Sequence, residues 1–285
     1  MTTEPSLTPG SYPALTDETR RVWERNAAFW DDQMGEGNAF QRVLIAPATE
    51  RLLALQPGER ILELACGNGV MSRRLAQLGA HVLATDYSPT FIERARARSA
   101  EATYADRLEY RVVDATDEPA LLALGKGRFA AVVCNMAIMD LATIEPLFAA
   151  TRRLLAPGGR FVFALAHPCF NSSHIRLCAE EEDRDGELVT TYAVKVTRYL
   201  EPSATRGLGM LGQPEPHYYF HRPLSLLFGV CFAAGFALDG LEEPAFDQPV
   251  DPQRALSWQN LAGIPPVLVA RARPVERAAV KSMGG

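Results

Sequence analysis

The chain runs Ile61-Leu62-Glu63-Leu64-Ala65-Cys66-Gly67-Asn68-Gly69 where an apolar strand pattern meets a glycine turn, and a helical pattern starts at once from Val70. A second apolar run, His81 to Thr85, ends on a lone acid, Asp86, seventeen residues past Gly69. Glycine lets a ligand press against backbone with no Cβ in the way. An acid at the end of the next strand can accept both hydroxyls of a ribose. The two features together predict a nucleoside pocket at the carboxyl edge of a parallel sheet.

The third glycine of a dinucleotide fingerprint, G-x-G-x-x-G, is replaced here by Ser72. Serine is small, so an NAD-linked oxidoreductase stays open on this position alone. Glu63, four residues before the first glycine, is less usual for such a protein. The string resembles motif I of the class I S-adenosylmethionine (SAM) methyltransferases, E/D-x-G-x-G-x-G, with Ala65 in the first glycine slot. Alanine there still permits close approach.

The chain has 285 residues, enough for one generous domain or a domain with a cap. Its composition, 47% hydrophobic and 22% charged, is that of an ordinary globular protein. A net charge of −5 argues against a nucleic-acid partner, whose binders carry a basic excess. The cysteines at 66, 134, 169, 178 and 231 are odd in number and form no C-x-x-C pair, so reduced thiols and a cytoplasmic protein are expected. The polar amino terminus lacks the basic start and apolar core of a signal peptide. The longest apolar run, Leu224 to Leu238, is interrupted by Ser225, Gly229 and Gly235. It falls short of the roughly 20 residues of a membrane span, so a buried helix is expected.

Outward from the glycine turn, the patterns alternate. Residues 1–14 hold three prolines and predict a loose tail. Helices are expected over Asp17–Met34 and Phe40–Leu55, in a segment 15–56 that covers the pocket. Strand Arg60–Ala65, helix Val70–Leu78, strand His81–Asp86 and a helix to Ala100 follow, the last opened by Ser88-Pro89 as N-cap and N1. Strand Leu108–Asp114, a short helix at Pro119–Leu124, strand Phe129–Met136 and a helix Thr143–Leu155 come next. Pro157-Gly158-Gly159 then breaks the chain before strand Arg160–Ala166. Five strands separated by helices predict an α/β fold with right-handed crossovers and a mostly parallel, Rossmann-like sheet. Residues 168–222 depart from this rhythm and predict an inserted lid, with a strand-like run Val189–Tyr199 and an acidic loop at 180–187. An apolar helix near Leu224–Gly235 and strands Phe236–Leu241 and Val267–Ala272 return to the core, assigned to 57–167 and 223–275.

The methyltransferase resemblance covers residues 20–167 and, more loosely, the last two strands, which it predicts as a hairpin completing a seven-stranded sheet. It implies S-adenosyl-L-methionine as cofactor and S-adenosyl-L-homocysteine (SAH) as product. Glu63, Ala65, Gly67 and Gly69 would line the methionine and ribose side, and Asp86 would take the ribose hydroxyls. Tyr87 would pack on adenine, Asp114-Ala115 would receive its amino group, and Asn135 would offer a carbonyl to the methionine ammonium. Trp30 would cover the cofactor. The resemblance implies Leu155-Ala156-Pro157-Gly158-Gly159 as the turn before the fifth strand. Ala166-His167-Pro168-Cys169-Phe170, together with Asn135-Met136-Ala137-Ile138-Met139-Asp140 and His217-Tyr218-Tyr219-Phe220-His221-Arg222-Pro223, resembles a bacterial group of small-molecule methyltransferases.

Methyl transfer from a sulfonium needs alignment above all, and a base only where the acceptor must lose a proton. His167, at the end of the fifth strand, and His221 are the expected catalytic groups. Rings and imidazoles at 217–221 suit an aromatic or polyketide-like acceptor. No N/D-P-P-Y/F string follows the fourth strand, which disfavours base-methylating enzymes. No acid and amide set matches a catechol-type magnesium site, so no metal is expected. The expected function is methyl transfer to a small molecule, to hydroxyl oxygen first and nitrogen or carbon next, without a nucleic-acid or membrane partner. The alternative is a catalytically silent SAM- or SAH-binding accessory protein.

Overall fold

The computed structural model describes residues 9–247 and 256–275. Seven strands form the central sheet: β1 (Arg60–Leu64), β2 (His81–Asp86), β3 (Leu108–Val112), β4 (Phe129–Asn135), β5 (Leu155–Ala166), β10 (Phe236–Glu242) and β11 (Val267–Pro274). Their order is β10-β11-β5-β4-β1-β2-β3, parallel except for β11, which pairs antiparallel with both β5 and β10. The Rossmann-like sheet and its closing antiparallel pair are those expected from the alternation of patterns and from the resemblance.

Side-chain alternation explains why both faces are covered. On β1, Leu62 and Leu64 join one core while Ile61 joins the other. Val132 and Cys134 oppose Ala131 and Val133 on β4 in the same way, as Phe161 and Phe163 oppose Val162 and Ala164 on β5. The first core is roofed by α6 (Glu145–Leu154) and α7 (Leu224–Ala233), with the Phe148 ring edge-on to Phe161 and Phe163 at 5.5 and 5.6 Å. The second is roofed by α2 (Ala46–Leu53), α3 (Val70–Gln77) and α4 (Pro89–Ser99). A short α5 (Glu118–Leu122) follows β3. The α4 start reads as its sequence does, Ser88 Oγ accepting from Phe91 N with Pro89 at N1.

Five local expectations are corrected. Pro157-Gly158-Gly159 does not break the chain: Leu155 already pairs with Phe129, and the register resumes at Ala131 with Arg160. The tripeptide is a bulge, and a Cβ at Gly159 would lie 2.8 Å from Ala156 O. The segment Phe40–Leu55 is not one α-helix, because a π-helical turn, Phe40–Ile45, precedes α2. The apolar run at 224–238 is only partly buried, with Leu227 and Cys231 sealed in the core and Phe232 largely exposed.

The fourth correction concerns the acidic loop, which is a strand. β6 (Ile175–Arg184) pairs residue for residue with β7 (Glu187–Val196), around the two-residue turn Asp185-Gly186. Both turn residues have positive φ, 56° and 88°, as a primed hairpin turn requires. A second hairpin, β8 (Ser203–Gly207) with β9 (His217–His221), completes the insertion. Of the expected tail, residues 1–8 lie outside the described residues. Over the described part the expectation of a loose tail is also corrected: Gly10 is buried, and Tyr12 donates its amide to Ala142 O while stacking on Phe220, which fastens the segment to the core.

Helix α1 (Thr16–Met34) lies over the sheet edge and is fastened by charge. Asp31 accepts from Arg94 (2.7 Å), Arg98 (2.5 Å) and Asn68 (3.0 Å). Burial opposes its ionisation, but these donors win and hold its carboxyl below the usual range. Glu24 accepts from Ser88 Oγ and, at 2.6 Å, from Thr90 Oγ1.

Candidate active site

Strand order reverses between β1 and β4, so the crossovers leaving these strands go to opposite sides and open a crevice at their carboxyl ends. A cavity of about 1030 Å³ occupies this position, floored by the ends of β1, β2 and β4 and walled by α1 and β9. Drug-sized ligand sites run to about 1,000 Å³, so the space accommodates a cofactor with a small partner.

The glycine turn is built for close approach. Gly67 has φ 54°, and an added Cβ would meet nothing within 4 Å. Gly69 has φ 77°, and there a Cβ would fall 2.8 Å from Tyr110 Oη and 3.2 Å from the Ala95 methyl. The first glycine therefore opens space toward the cavity, and the second permits packing behind it. Ala65 holds φ 53°, a left-handed conformation in which alanine is strained.

Two carboxylates face the turn. Asp86 accepts from Gly67 N and Ser88 N, each at 2.9 Å. Burial pushes its carboxyl up to about 6 against the pull of those two amides. Glu63 accepts from Ser72 Oγ, and burial raises it to about 7. Ser72, the residue in place of a third glycine, thus anchors the strand-end acid. The effect is chemical: both acids change charge in the neutral range, where a ligand's hydroxyls or cationic groups decide their state.

Of the residues singled out in the sequence, Trp30, Glu63, Ala65, Gly67, Asp86, Tyr87, Asn135 and His221 line this cavity. Asn135 exchanges weak hydrogen bonds with Thr49, and His221 donates Nε2–H to Tyr199 O at 2.7 Å. Gly69, Asp114, Ala115 and His167 do not line it. Asp114 is occupied elsewhere: Oδ1 accepts from Thr116 N and Oγ1, and Oδ2 pairs with Arg20 of α1. His167 is buried with both ring nitrogens committed. Nε2 donates to Glu243 Oε1 at 2.8 Å and Nδ1 accepts from Cys169 N at 3.1 Å, which builds the turn after β5. Burial lowers its imidazole, partly offset by Glu243.

Sequence reading gave no role to Trp23, Asp140 or Arg222, which also line the cavity. Arg222 is a buried hub that donates to Gly10 O, Ile138 O, Leu141 O and Ala142 O, tying the segment after β9 to the loop after β4. Trp23 packs on His217 with ring centres 4.5 Å apart. A helix-face tryptophan carries no local signal, and Asp140 entered only as the last residue of a string quoted for its resemblance; that both line one cavity depends on α1 and β9 closing over β4. Among the described residues, no group of three or more His, Cys, Asp or Glu side chains is placed to hold a metal ion.

Comparisons with known proteins agree with this architecture. Residues 61–159 match the model of a methyltransferase domain. The chain is 35% identical over 163 residues to a demethylmenaquinone methyltransferase of Clavibacter sepedonicus, covering 57% of this chain and 60% of that one. It is 36% identical over 103 residues to a ubiquinone biosynthesis O-methyltransferase of Xanthomonas campestris pv. campestris, covering 36% of this chain and 41% of the relative. The chain thus spans between two fifths and three fifths of the length of these curated relatives. The crystal structure of a SAM-dependent methyltransferase from Mesorhizobium loti superposes with a TM-score of 0.61 at 27% identity, over 80% of this chain and 96% of that one. The glycopeptide N-methyltransferase MtfA complexed with SAM shares the fold, with a TM-score of 0.52 at 19% identity, over 95% of this chain and all of that one.

Proposed function

We propose that this chain, whose residues 61–159 match the model of a methyltransferase domain, is a class I, Rossmann-like enzyme that transfers a methyl group from SAM to a hydroxyl of a small molecule. The observation that carries the reading is the meeting of Gly67, Asp86 and Glu63 at the floor of one cavity, at the point where strand order reverses.

The residues fit the cofactor. Asp86 keeps lone pairs for ribose hydroxyls beyond its two backbone donors, and Gly67 leaves its face open. Glu63 offers a charge-tunable carboxylate to the cationic methionine end. Tyr87 and Trp30 supply ring surface, and Asn135 a polar strand end. Asp114 joins the adenine contacts only by giving up Arg20, so the neighbouring backbone at Ala115 is the better candidate there. SAM supplies an activated methyl group, and the chain's work is to align the acceptor and exclude water. Alignment of this kind is worth roughly 7–11 kcal/mol. The lid and α1 close the cavity with rings from Trp23, Trp30 and Tyr219. His167, with both nitrogens occupied, is assigned to the turn, and His221 to the lid.

The test is incubation of the full chain with methyl-labelled SAM and an extract of small molecules from the source cells, with SAH binding measured in parallel by calorimetry. Label in one small compound supports the reading and names the acceptor. Tight SAH binding without label in any compound indicates the accessory protein, and label in a macromolecule refutes a small acceptor.

A further inference from the structure

Asp140 ends the short 3-10 turn Ile138–Asp140 after β4, and it lines the cavity. It is 7% exposed, and its Oδ1 has no hydrogen-bond partner. Among the described residues no arginine or lysine pairs with it; His217 Nε2 lies 3.7 Å from Oδ1, and the Tyr87, Tyr219 and Cys134 side chains also feel its charge. Leaving such an oxygen buried without a partner is costly. An unpaired buried carboxyl oxygen on a residue that lines a ligand cavity points to a carboxyl whose partner arrives with the ligand.

The hydrogens on His217 are fixed from its other side. Trp30 Nε1 and Gly209 N both donate to Gln213 Oε1, at 3.0 and 3.2 Å. Gln213 Nε2 therefore faces Glu215 O at 2.5 Å and His217 Nδ1 at 2.9 Å. An amide nitrogen only donates, so His217 Nδ1 accepts and its one hydrogen sits on Nε2, on the side of Asp140. A second proton would set N–H against N–H, and burial holds the imidazole neutral, down to about 4. His217 can therefore present a hydrogen to Asp140 and cannot take one from a substrate. Ring contacts from Tyr219 (4.3 Å) and Trp23 (4.5 Å) keep its plane in place.

We propose that Asp140 accepts the proton of the methyl acceptor, and that His217, oriented through Gln213 and Trp30, is the positioning residue that holds the carboxylate. This rests on the function proposed above. As the O–CH₃ bond forms, the acceptor's O–H bond breaks, with its electrons staying on oxygen and its proton passing to the Asp140 carboxylate. The electron pair of the broken C–S bond stays on sulfur, so the sulfonium and carboxylate charges vanish together. Burial raises the Asp140 carboxyl well above its usual range, so the positive charge of a bound sulfonium would be needed to favour its ionised form, and once ionised it is a stronger base. Trp23 Nε1 and Tyr87 Oη are two more buried groups without partners, both donors. Ring walls, a base and two free donors fit a planar phenol bearing a second oxygen.

The test compares the full chain with Asp140→Asn and Gln213→Leu variants. Asp140→Asn should bind SAH within about twofold of the parent while label transfer in the extract assay falls roughly 100-fold or more, in the range of general-base loss. Nitrogen NMR of His217 needs no acceptor. It should show the Nε2–H tautomer, without titration between about pH 5 and 9, and a mixed tautomer in Gln213→Leu. Undiminished labelling by Asp140→Asn overturns the proposal. So does an Nδ1–H tautomer or an imidazole titrating near its ordinary value, which would make His217 the base. Failure of the parent to bind SAH would instead strike the proposed function, and the His217 spectrum would still decide the proton arrangement.

Discussion

Glu63→Gln should stabilise the protein at pH 8 and leave its stability nearly unchanged near pH 4.5. An unfolded glutamate titrates at 4.5, whereas burial raises folded Glu63 to about 7. Between those values the folded chain holds a proton that the unfolded chain has released. The contribution is therefore complete below about 4.5 and is lost as pH rises through about 7. The two values lie roughly 2.5 pH units apart, and each unit is worth about 1.4 kcal/mol, so the ionised side chain costs the fold about 3 kcal/mol at pH 8. Glutamine keeps the shape and an oxygen for the Ser72 hydroxyl, and it carries no charge. Urea unfolding followed by tryptophan fluorescence, extrapolated to water at both pH values, measures the difference. Asp86 titrates in both proteins, so its contribution largely cancels. A stability gap of the same size at the two pH values, or a glutamine variant weaker at pH 8, refutes the assignment of Glu63 as a buried, strained charge.

SAH affinity should rise about tenfold or more from pH 5 to pH 8, because hydroxyl donors favour the ionised Asp86, raised to about 6 by burial; a flat calorimetric profile contradicts this. Gly69→Ala combines a left-handed backbone with a Cβ 2.8 Å from Tyr110 Oη, and should cost about 2–4 kcal/mol in denaturant unfolding; a loss below about 1 kcal/mol would show that the turn can relax. Arg222→Met strips donors from four carbonyls, Gly10, Ile138, Leu141 and Ala142, and should cost about 3 kcal/mol or more; near-parental stability would mean that water replaces the guanidinium.

Much of the fold was legible because its signals are local. The His81–Asp86 strand, the Ser88-Pro89 helix start and the glycine turn each depend on residues within a few positions of one another. The segment 175–196 differs from its sequence reading because one local signal outweighs another: the charges at 180–187 suggest a loop, but Asp185-Gly186 is a primed hairpin turn, and full-length pairing of β6 with β7 follows from it. The Pro157-Gly158-Gly159 bulge was hidden for a different reason. Prolines and glycines mark a departure from regular geometry, but whether the ladder ends or resumes is decided by the neighbouring strand β4.

The sequence by itself determined the parallel sheet, the glycine turn and the strand-end acids, because hydrophobic period and glycine placement act over short spans. Tertiary structure alone decided how the side chains are committed. It paired Asp114 with Arg20 and closed His167 into a turn with Glu243 and Cys169. It also set Asp140 beside His217, 77 positions along the chain. Hydrogen-bond partners and desolvation depend on which distant elements meet, and no spacing rule in a single chain records that meeting.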